Sequence, residues 1–216
     1  MIPNLIVPVL NRYDLLQRML DTVDMKIAHL VLIDNGDGIT EMRFPKLVQN
    51  VHYIPLPGNL GVAGSWNLGI KVLPHHDRWF FGSNDIMLGQ GDLAELADAA
   101  TDELTITEAR PHFQLFAVGE EVVREVGLFD ENCYPAYFED TDYLARVKKF
   151  GYRVTSLPLG VEHDNSSTLR ANQSFQQKNS RTYKDNQDYM RRKHAEFDFS
   201  SGEWSLTRRR RNDWLR

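Results

Sequence analysis

Short, continuous apolar runs alternate with amphipathic stretches along the first half of the chain. The apolar runs are typical of strands that are buried on both faces of a sheet. The amphipathic stretches repeat their apolar residues at helical spacing. Strands that alternate with helices predict an α/β fold, with a mostly parallel, twisted sheet, right-handed crossovers and flanking helices. The predicted strands are 4–10, 30–33, 51–56 and 78–82. The predicted helices are 14–23, a helix that follows the loop at 57–61 and runs to about 72, and 91–100.

The second half of the chain is less regular. Its predicted strands are 113–118 and 152–157. Its predicted helices are 120–126, a helix that runs from Tyr137 to Phe150, and a polar helix at 173–196. Gly151 stands where the C-terminal cap of a helix favours a residue with positive φ. The Arg-rich end of the chain predicts a poorly ordered tail.

Composition narrows the classes of function. The 216 residues carry a formal net charge of −5, which argues against a specific nucleic-acid binder. The single cysteine, Cys133, excludes an internal disulfide and a cysteine-based zinc site, and it fits a reducing compartment. The apolar stretch 1–10 is short and broken by Pro3 and Pro8, so it predicts neither a signal peptide nor a membrane span. We therefore expect a cytoplasmic protein, whose oligomeric state the sequence leaves open.

Residues 137–146 (YFEDTDYLAR) place three carboxylates within four positions, directly after two aromatic side chains. Glu139 and Asp142 are three residues apart and would share a helix face, whereas Asp140 would point elsewhere. Carboxylates at a helix start also interact favourably with the helix dipole. A solvated acidic first turn is therefore an alternative to a functional site.

Four polar side chains elsewhere favour the functional site. Asp34, Asn59, Asp85 and His163 each lie at or just beyond the end of an apolar run, where open α/β sheets collect ligand-binding groups. They belong to a series of motifs that covers residues 4–167, with a weaker match at 189–193. The motifs are VPVLNR at 7–12, IDNG at 33–36, GNLGVAGSWNLG at 58–69, SND at 83–85, GLFDE at 127–131, the acidic segment 137–146, GYRV at 151–154, and His163 with Ser166 and Ser167.

The order and spacing of these motifs resemble family 2 glycosyltransferases, especially the bacterial rhamnosyltransferase-like branch. The resemblance implies the GT-A fold, with a Rossmann-like nucleotide-sugar-binding half (1–95) and an acceptor-binding, catalytic half (96–170). A helical extension would follow at 171–198 and a basic tail at 199–216. The resemblance also implies an inverting enzyme that transfers a sugar from a nucleotide-diphosphate sugar to an acceptor hydroxyl. A UDP-sugar is the favoured donor, dTDP- and GDP-sugars are further candidates, and the acceptor would be a glycan, a lipid-linked molecule or a protein.

The resemblance assigns donor contacts to the ends of the first two strands. The backbone of Pro8 and Val9 would form the slot for the nucleobase, and Asp34 would accept a hydrogen bond from the imide N–H of the base. Asn11 and Arg12 would line the same nucleotide-sugar site. The alternative for Asp34 is a turn residue that helps to close the Asp-Asn-Gly loop, and the two roles are compatible.

The glycine-rich unit at 58–69 lacks both the Walker lysine and the Rossmann fingerprint. By resemblance, Gly61 would allow close approach of the backbone, and Asn59 and Asn67 would donate hydrogen bonds to ribose or phosphate oxygens. Tight packing of a helix start on the sheet is the alternative explanation of these glycines.

A divalent metal, Mn2+ or Mg2+, is implied at Asp85 and His163. Asp85 matches the acidic metal-binding motif of the family, and His163 matches its later histidine ligand. The cation would neutralise the charge that grows on the diphosphate leaving group. Ser83 and Asn84 depart from the family pattern, which usually has a second acid here; Asn84 is expected to contact the donor.

Asp140 is implied as the catalytic base, which takes the proton of the acceptor hydroxyl while its oxygen attacks the anomeric carbon. The neighbouring carboxylates and partial burial behind Tyr137 and Phe138 predict a raised carboxyl pKa in this cluster. Glu139 would hydrogen-bond the acceptor or an amide at the helix start.

Two other classes of function remain open. A sugar-phosphate nucleotidyltransferase would use a similar sheet, but the chain lacks the basic, glycine-rich N-terminal loop of such enzymes. A non-catalytic nucleotide-sugar-binding module is the second alternative, because Asp85 is the only acid of its motif.

The tail at 206–216 contains five arginines and lies beside Trp204 and Trp214. Arginines next to tryptophans are suited to anionic lipid headgroups, which predicts peripheral contact with the inner face of a membrane. A solvated charge run is the alternative.

Overall fold

The computed structural model describes residues 1–36, 38–39, 41–99, 101–164 and 173–202, and of residues 173–179 the backbone only. The strands are β1 (Ile2–Val9), β2 (Ile27–Asp34), β3 (Val48–Pro55), β4 (Arg78–Gly82), β5 (Ile86–Met87), β6 (Glu103–Thr107), β7 (Leu115–Gly119), β8 (Arg153–Leu157) and β9 (Glu162–His163). The helices are α1 (Tyr13–Asp21), α2 (Gly61–Val72), α3 (Asp92–Ala97), α4 (Glu120–Val126), α5 (Glu139–Lys149) and α6 (Gln173–Ala195). A seven-stranded sheet has the order β3-β2-β1-β4-β7-β6-β8, and β5 pairs with β9 in a second sheet.

The large sheet is mostly parallel, as the alternation of strands and helices predicts. β1 pairs in parallel with β2 and β4, β2 with β3, and β6 with β8. β7 differs, because it runs antiparallel to both β4 and β6. The carboxyl ends of β1, β2 and β4 therefore meet at one edge of the sheet, where the predicted ligand-binding loops begin.

Both faces of the sheet are covered, which explains the continuous apolar runs. One buried cluster contains Leu5 of β1 and Leu16 of α1. The other contains Ile6 of β1 together with Trp66 of α2 and Tyr143 of α5. Neighbouring residues of β1 thus enter clusters on opposite faces, as the two-residue repeat of a strand requires.

β6 lies outside the predicted strands because Glu103, Thr105 and Thr107 interrupt its apolar residues. All three are nevertheless buried. Thr105 Oγ1 donates to Glu103 Oε1 over 3.1 Å, and Thr107 Oγ1 donates to the carbonyl of Leu115 over 2.7 Å. Thr155 Oγ1 on β8 donates to Glu103 Oε2 over 2.7 Å. Because buried polar groups with partners carry little penalty, this polar sequence can form a central strand.

The other predicted elements are confirmed in kind and differ mainly at their ends. β4 and α4 have the predicted bounds, whereas β1, β2 and β3 begin earlier and α3 ends at Ala97. α5 begins at Glu139 rather than Tyr137, because Tyr137 and Phe138 both have a φ of 76°, outside the helical region. Gly151, with a φ of 82°, follows the end of α5 as the predicted cap.

The predicted polar helix at 173–196 is confirmed as α6. Across the described ranges, no helix combines the length and the hydrophobicity that a membrane span requires. Ser166, Ser167 and the arginine-rich tail at 206–216 lie outside the described residues.

Candidate active site

Asp34, the last residue of β2, is buried among three hydrogen-bond donors. The hydroxyl of Tyr13 donates to Oδ1 over 2.8 Å, and the amide of Gly36 donates to the same oxygen over 2.9 Å. The hydroxyl of Tyr53 donates to Oδ2 over 2.9 Å. Asp34 therefore closes the turn to Gly36, as its alternative reading expects. Since a carboxylate oxygen accepts about two hydrogen bonds, Oδ2 keeps acceptor capacity for a ligand.

Tyr13 and Tyr53, which the sequence analysis does not identify, hold this carboxylate from two sides. Burial, and then the hydrogen bond to Asp34, raises the pKa of Tyr13 to about 12. The hydroxyl of Tyr13 thus stays protonated at neutral pH and remains a donor. Tyr53 is 41% exposed at the edge strand β3, so its ring is accessible beside the carboxylate.

The 58–61 loop is held by asparagine side chains. Asn35 Oδ1 accepts a hydrogen bond from the amide of Leu60 over 2.8 Å, and Asn59 Oδ1 accepts from the amide of Gly61 over 2.7 Å. Gly61 has a φ of 76°, and a Cβ atom there would lie 2.7 Å from the carbonyl oxygen of Pro135. Glycine at this position therefore allows the 58–61 loop to approach the segment that precedes α5.

Asn67 has a role that differs from its predicted one. Its side chain is fully buried. Its Nδ2 donates to the carbonyl of Phe129 and to Glu131 Oε1, both over 2.9 Å, and its Oδ1 accepts from the amide of Phe129 over 2.9 Å. Asn67 thus ties α2 to the 129–131 segment, and we leave it out of the donor contacts proposed below.

The residues after β1 turn towards the end of β4. The amide of Asn35 donates to the carbonyl of Val9 over 2.7 Å, and Asn84 Nδ2 donates to the carbonyl of Asn11 over 3.2 Å. Pro8 is half-buried one residue before Val9. Arg12 has a φ of 55°, in the left-handed region.

Arg12 connects this turn electrostatically to the predicted metal site. Its Nη2 lies 2.8 Å from Asp14 Oδ2. The hydrogen bond to Asp14, with smaller contributions from the charges of Asp164 and Asp85, raises the pKa of the Arg12 side chain. The guanidinium therefore stays positive close to the site where a donor diphosphate is expected.

Asp85 and His163 are far apart in the sequence but adjacent in the structure. β5 and β9 pair antiparallel, with Ile86 opposite His163. The amide of Asp164 donates to the carbonyl of Asp85 over 3.0 Å. As a result His163 Nε2 lies 3.1 Å from Asp85 Oδ1, and the two side chains are 14% and 11% exposed.

The chemistry of this pair fits a divalent cation. A carboxylate oxygen and an imidazole nitrogen converge at a partly open position, and both atom types are common metal ligands. Within the part of the chain that the structure describes, no group of three or more His, Cys, Asp or Glu side chains is arranged to hold a metal. Two protein ligands suit a cation whose remaining positions are filled by phosphate oxygens and water.

The three carboxylates at the start of α5 lie in three different environments. Asp142 is fully buried and pairs with Arg146, whose Nε lies 2.7 Å from Asp142 Oδ2. Asp140 is half-exposed, and its Oδ1 accepts a hydrogen bond from the amide of Thr141 over 2.6 Å. Glu139 is 6% exposed, and its Oε2 has no hydrogen-bond partner among the described residues.

The raised carboxyl pKa expected in this cluster is found at Glu139. Burial, and then the charge of Asp140, raises the pKa of Glu139 well above its usual value of 4.5. Burial therefore favours the protonated form of the Glu139 carboxyl more than exposure to solvent would. Asp140, in contrast, is partly exposed and has no ion-pair partner among the residues described.

A strained turn precedes these carboxylates. Tyr137 and Phe138 both have a φ of 76°, which non-glycine residues adopt at a cost of about 1–3 kcal/mol each. Such a turn persists only where the surrounding structure holds it. The segment before this turn contacts the start of α2 at Pro135, whose carbonyl oxygen accepts a hydrogen bond from the amide of Val62 over 2.8 Å.

The structure therefore brings the predicted residues together in three groups. The first lies at the ends of β1 and β2, the second is the Asp85–His163 pair, and the third is the start of α5. Contacts at Pro135 connect the first group to the third, and the hydrogen bond from Asn84 to the carbonyl of Asn11 connects the first to the second.

Comparison of the sequence with known proteins gives one short match. No family model matches the chain. A galactofuranosyl glycosyltransferase from Leishmania donovani is 40% identical over 55 residues, which are 26% of this chain and 13% of that protein.

Solved structures resemble a larger part of the chain. The mannosyltransferase PcManGT from Pyrobaculum calidifontis, in complex with GDP-Man and Mn2+, has a TM-score of 0.55 at 15% identity, over 72% of this chain and 54% of that one. GalNAc-T7 with UDP, GalNAc and Mn2+ has a TM-score of 0.59 at 12% identity, over 76% and 44%. S. aureus TarS 1–349 in complex with UDP has a TM-score of 0.54 at 14% identity, over 73% and 58%.

The chain spans about half the length of each of these structures. At such low identity the likeness concerns the architecture alone. The mainly parallel sheet flanked by helices is the architecture that these glycosyltransferases share with this chain. The chain therefore has the GT-A fold.

Proposed function

We propose that this protein transfers a sugar from a nucleotide-diphosphate donor to an acceptor hydroxyl, with inversion at the anomeric carbon. The observation that carries the proposal is the 3.1 Å approach of His163 Nε2 to Asp85 Oδ1, just beyond β4 in a GT-A sheet. Structures with this fold were solved with GDP-Man and Mn2+, and with UDP, GalNAc and Mn2+. The order of the sequence motifs supports membership of family 2 and its rhamnosyltransferase-like branch, with the donor half at 1–95 and the acceptor half at 96–170.

In this proposal the nucleotide binds at the ends of β1 and β2. Asp34 Oδ2, which accepts one hydrogen bond from Tyr53, has capacity to accept a second from the imide N–H of the base. The exposed ring of Tyr53 and the backbone of Pro8 and Val9 are suited to the flat faces of the base. A uracil or thymine base offers that imide donor, which is why UDP- and dTDP-sugars are the first donors to test.

The diphosphate would lie between Arg12 and the Asp85–His163 pair. Asp85 and His163 would hold a divalent cation, which when bound supplies positive charge to the departing diphosphate. Arg12 would add positive charge from the turn that follows β1. The Asn59 loop, which contacts Pro135, would place the sugar between the donor half and the start of α5.

The chemical step requires one carboxylate that accepts a proton. The oxygen of the acceptor hydroxyl attacks the anomeric carbon, the bond from that carbon to the diphosphate oxygen breaks, and the hydroxyl proton passes to a carboxylate oxygen of Asp140. The nucleoside diphosphate leaves with the bonding electrons. Glu139, whose Oε2 has no hydrogen-bond partner among the described residues, is suited to hydrogen-bond the acceptor.

A non-catalytic nucleotide-sugar-binding module is the second candidate function. It is favoured by the small number of protein ligands, since the described residues offer two side chains rather than a group of three at the predicted metal site. A binding module would bind the donor without releasing nucleoside diphosphate.

For the arginine-rich tail at 206–216 we propose peripheral contact with anionic lipid, which vesicle co-sedimentation at low and high salt would test.

The experiment that separates the candidates is nucleoside diphosphate release from UDP-, dTDP- and GDP-sugars in the presence of Mn2+ or Mg2+. We expect slow hydrolysis of at least one donor by water and its loss in excess chelator. Donor binding without release would favour the binding module. Release of pyrophosphate from a nucleoside triphosphate and a sugar phosphate would instead indicate a nucleotidyltransferase.

A further inference from the structure

The strained turn at Tyr137 and Phe138 is held by a residue that lies outside the sheet. Asn186, on α6, is fully buried. Its Nδ2 donates a hydrogen bond to the carbonyl of Ala136 over 2.9 Å and another to the carbonyl of Tyr137 over 3.3 Å. One side chain thus binds two consecutive carbonyl groups at the point where the backbone enters the left-handed region.

A second residue of α6 covers the same turn. The ring centroid of Tyr183 lies 5.3 Å from that of Tyr137 and 4.9 Å from that of Phe138. Tyr183 and Asn186 are three residues apart and therefore share a helix face. The aromatic contacts fix the side chains of the turn, and the amide contacts fix its backbone.

The same helix is anchored to α5 at Asp142, two residues beyond the predicted base. Lys193 Nζ lies 2.9 Å from Asp142 Oδ1 and 2.7 Å from Asp130 Oδ2, and the lysine side chain is 1% exposed. Arg146 completes a buried network with two carboxylates and two cations. This network ties α5 to α6, so α6 contacts the chain on both sides of the turn before Glu139, through Asn186 and through Lys193.

We propose that α6 positions the catalytic carboxylates, and that Asn186 is the positioning residue that holds the left-handed turn before Glu139 and Asp140. The catalytic part of this inference rests on the proposed function, whereas the holding of the turn does not. Without Asn186 the carbonyls of Ala136 and Tyr137 would lose their partner, and the turn would relax towards ordinary backbone conformations. The start of α5 would then point Asp140 away from the acceptor hydroxyl.

The test compares three variants of the full chain: Asn186→Leu, Tyr183→Ala and the control Asp188→Asn. Leucine matches asparagine in size but has no donor. Asp188 lies on the same helix in a surface pair, 3.6 Å from Arg191. Tyr183, which is 42% exposed, provides a second variant with little effect on the core should Asn186→Leu fail to fold.

Hydrogen exchange, followed by mass spectrometry, reports directly on the turn. The amide of Asp142 donates to the carbonyl of Phe138 over 2.9 Å, so its protection depends on the conformation of Phe138. We expect exchange in the 136–142 segment to accelerate by about tenfold or more in Asn186→Leu and Tyr183→Ala, and to be unchanged in Asp188→Asn. Wild-type exchange in both variants would overturn the proposal.

Kinetics distinguish positioning from general stabilisation. With a donor that the wild type hydrolyses, we expect kcat to fall by about tenfold or more in Asn186→Leu while the KM for the donor changes by less than about threefold. An unchanged kcat together with accelerated exchange would overturn the catalytic part. A wild type that hydrolyses no donor would refute the proposed function, and the exchange result would still decide whether α6 holds the turn.

Discussion

His163 Nε2 lies 3.1 Å from Asp85 Oδ1, across a sheet of two short strands. Seventy-seven positions separate the two residues in the sequence, and the pairing of β5 with β9 brings them together at the edge where the ends of β1 and β2 also lie. The pair joins the segment that follows β4 to the segment that follows β8. It is the part of the structure on which the proposed metal and the proposed donor both depend.

Replacement of Asp85 by alanine should weaken metal-dependent donor binding by about tenfold or more, because one of two protein ligands is lost. Calorimetric titration with UDP, with and without Mn2+, measures this effect. Binding in excess chelator should be the same in the variant and the wild type. Asp98→Ala, at an exposed carboxylate away from the site, is the control; equal losses in the two variants would contradict the role of Asp85.

Asp140→Asn should lower kcat for transfer by about 10²–10⁴-fold and leave donor affinity nearly unchanged, because the carboxylate acts only when the proton moves. Initial rates over a range of donor concentrations separate the two parameters. Glu139→Gln keeps both the size of the side chain and its ability to donate a hydrogen bond, so it should retain most activity. Normal turnover in Asp140→Asn combined with loss in Glu139→Gln would move the base to Glu139.

Asp34→Ala should weaken nucleoside diphosphate binding in the absence of metal by roughly 5–150-fold, equivalent to about 1–3 kcal/mol. Tyr53→Phe is the matched variant, since it removes one hydrogen bond to Asp34 and keeps the aromatic ring. It should bind nucleotide nearly as well as the wild type. If Asp34→Ala binds UDP normally, Asp34 serves the turn to Gly36 alone.

The asparagine and lysine of α6 show where sequence reasoning falls short. The pattern at 173–196 predicts a helix, but its polarity does not reveal which side chains become buried. Asn186, Met190 and Lys193 recur at helical spacing and are all less than 10% exposed. That spacing is the signal that could have identified the buried face, although the carboxylates that compensate Lys193 come from distant segments.

Asp85 and His163 are predicted from another kind of signal in the sequence. Motif order singled out Asp85 and His163, whereas periodicity could not, because β5 and β9 contain two residues each. Tyr13 and Tyr53 are not predicted from the sequence. They lie on α1 and β3, and each contacts Asp34 only because the fold brings these two elements to the end of β2. The burial of Glu103 is not predicted either, because it depends on hydrogen bonds from threonines on two strands, β6 and β8.

Lys193→Met should lower the free energy of unfolding by about 3–5 kcal/mol, because two buried carboxylates lose a cation. Arg191→Ala, in a surface pair with Asp188, should change it by about 0–1 kcal/mol. Urea denaturation of both variants measures the difference. Similar stabilities for the two would show that the Lys193 network contributes little.

Stability should also depend on pH through Glu139. Its pKa in the folded state is raised above 4.5, so the native protein binds this proton more tightly than the unfolded chain does. The contribution is complete below about pH 4.5 and is lost as pH rises towards the folded pKa.

Glu139→Gln removes this dependence. Relative to the wild type, the variant should gain stability with rising pH by at most about 1.4 kcal/mol per pH unit. Urea midpoints measured between about pH 5 and pH 8 give the two curves. Parallel curves would show that Glu139 titrates as it does in the unfolded chain.

The most direct test of the central claim is anomalous diffraction from crystals that contain Mn2+ and UDP. We predict one manganese peak within about 2.0–2.6 Å of both Asp85 Oδ1 and His163 Nε2, with diphosphate oxygens completing the shell and the base beside Asp34. A manganese peak elsewhere, or UDP bound away from the ends of β1 and β2, would contradict the account.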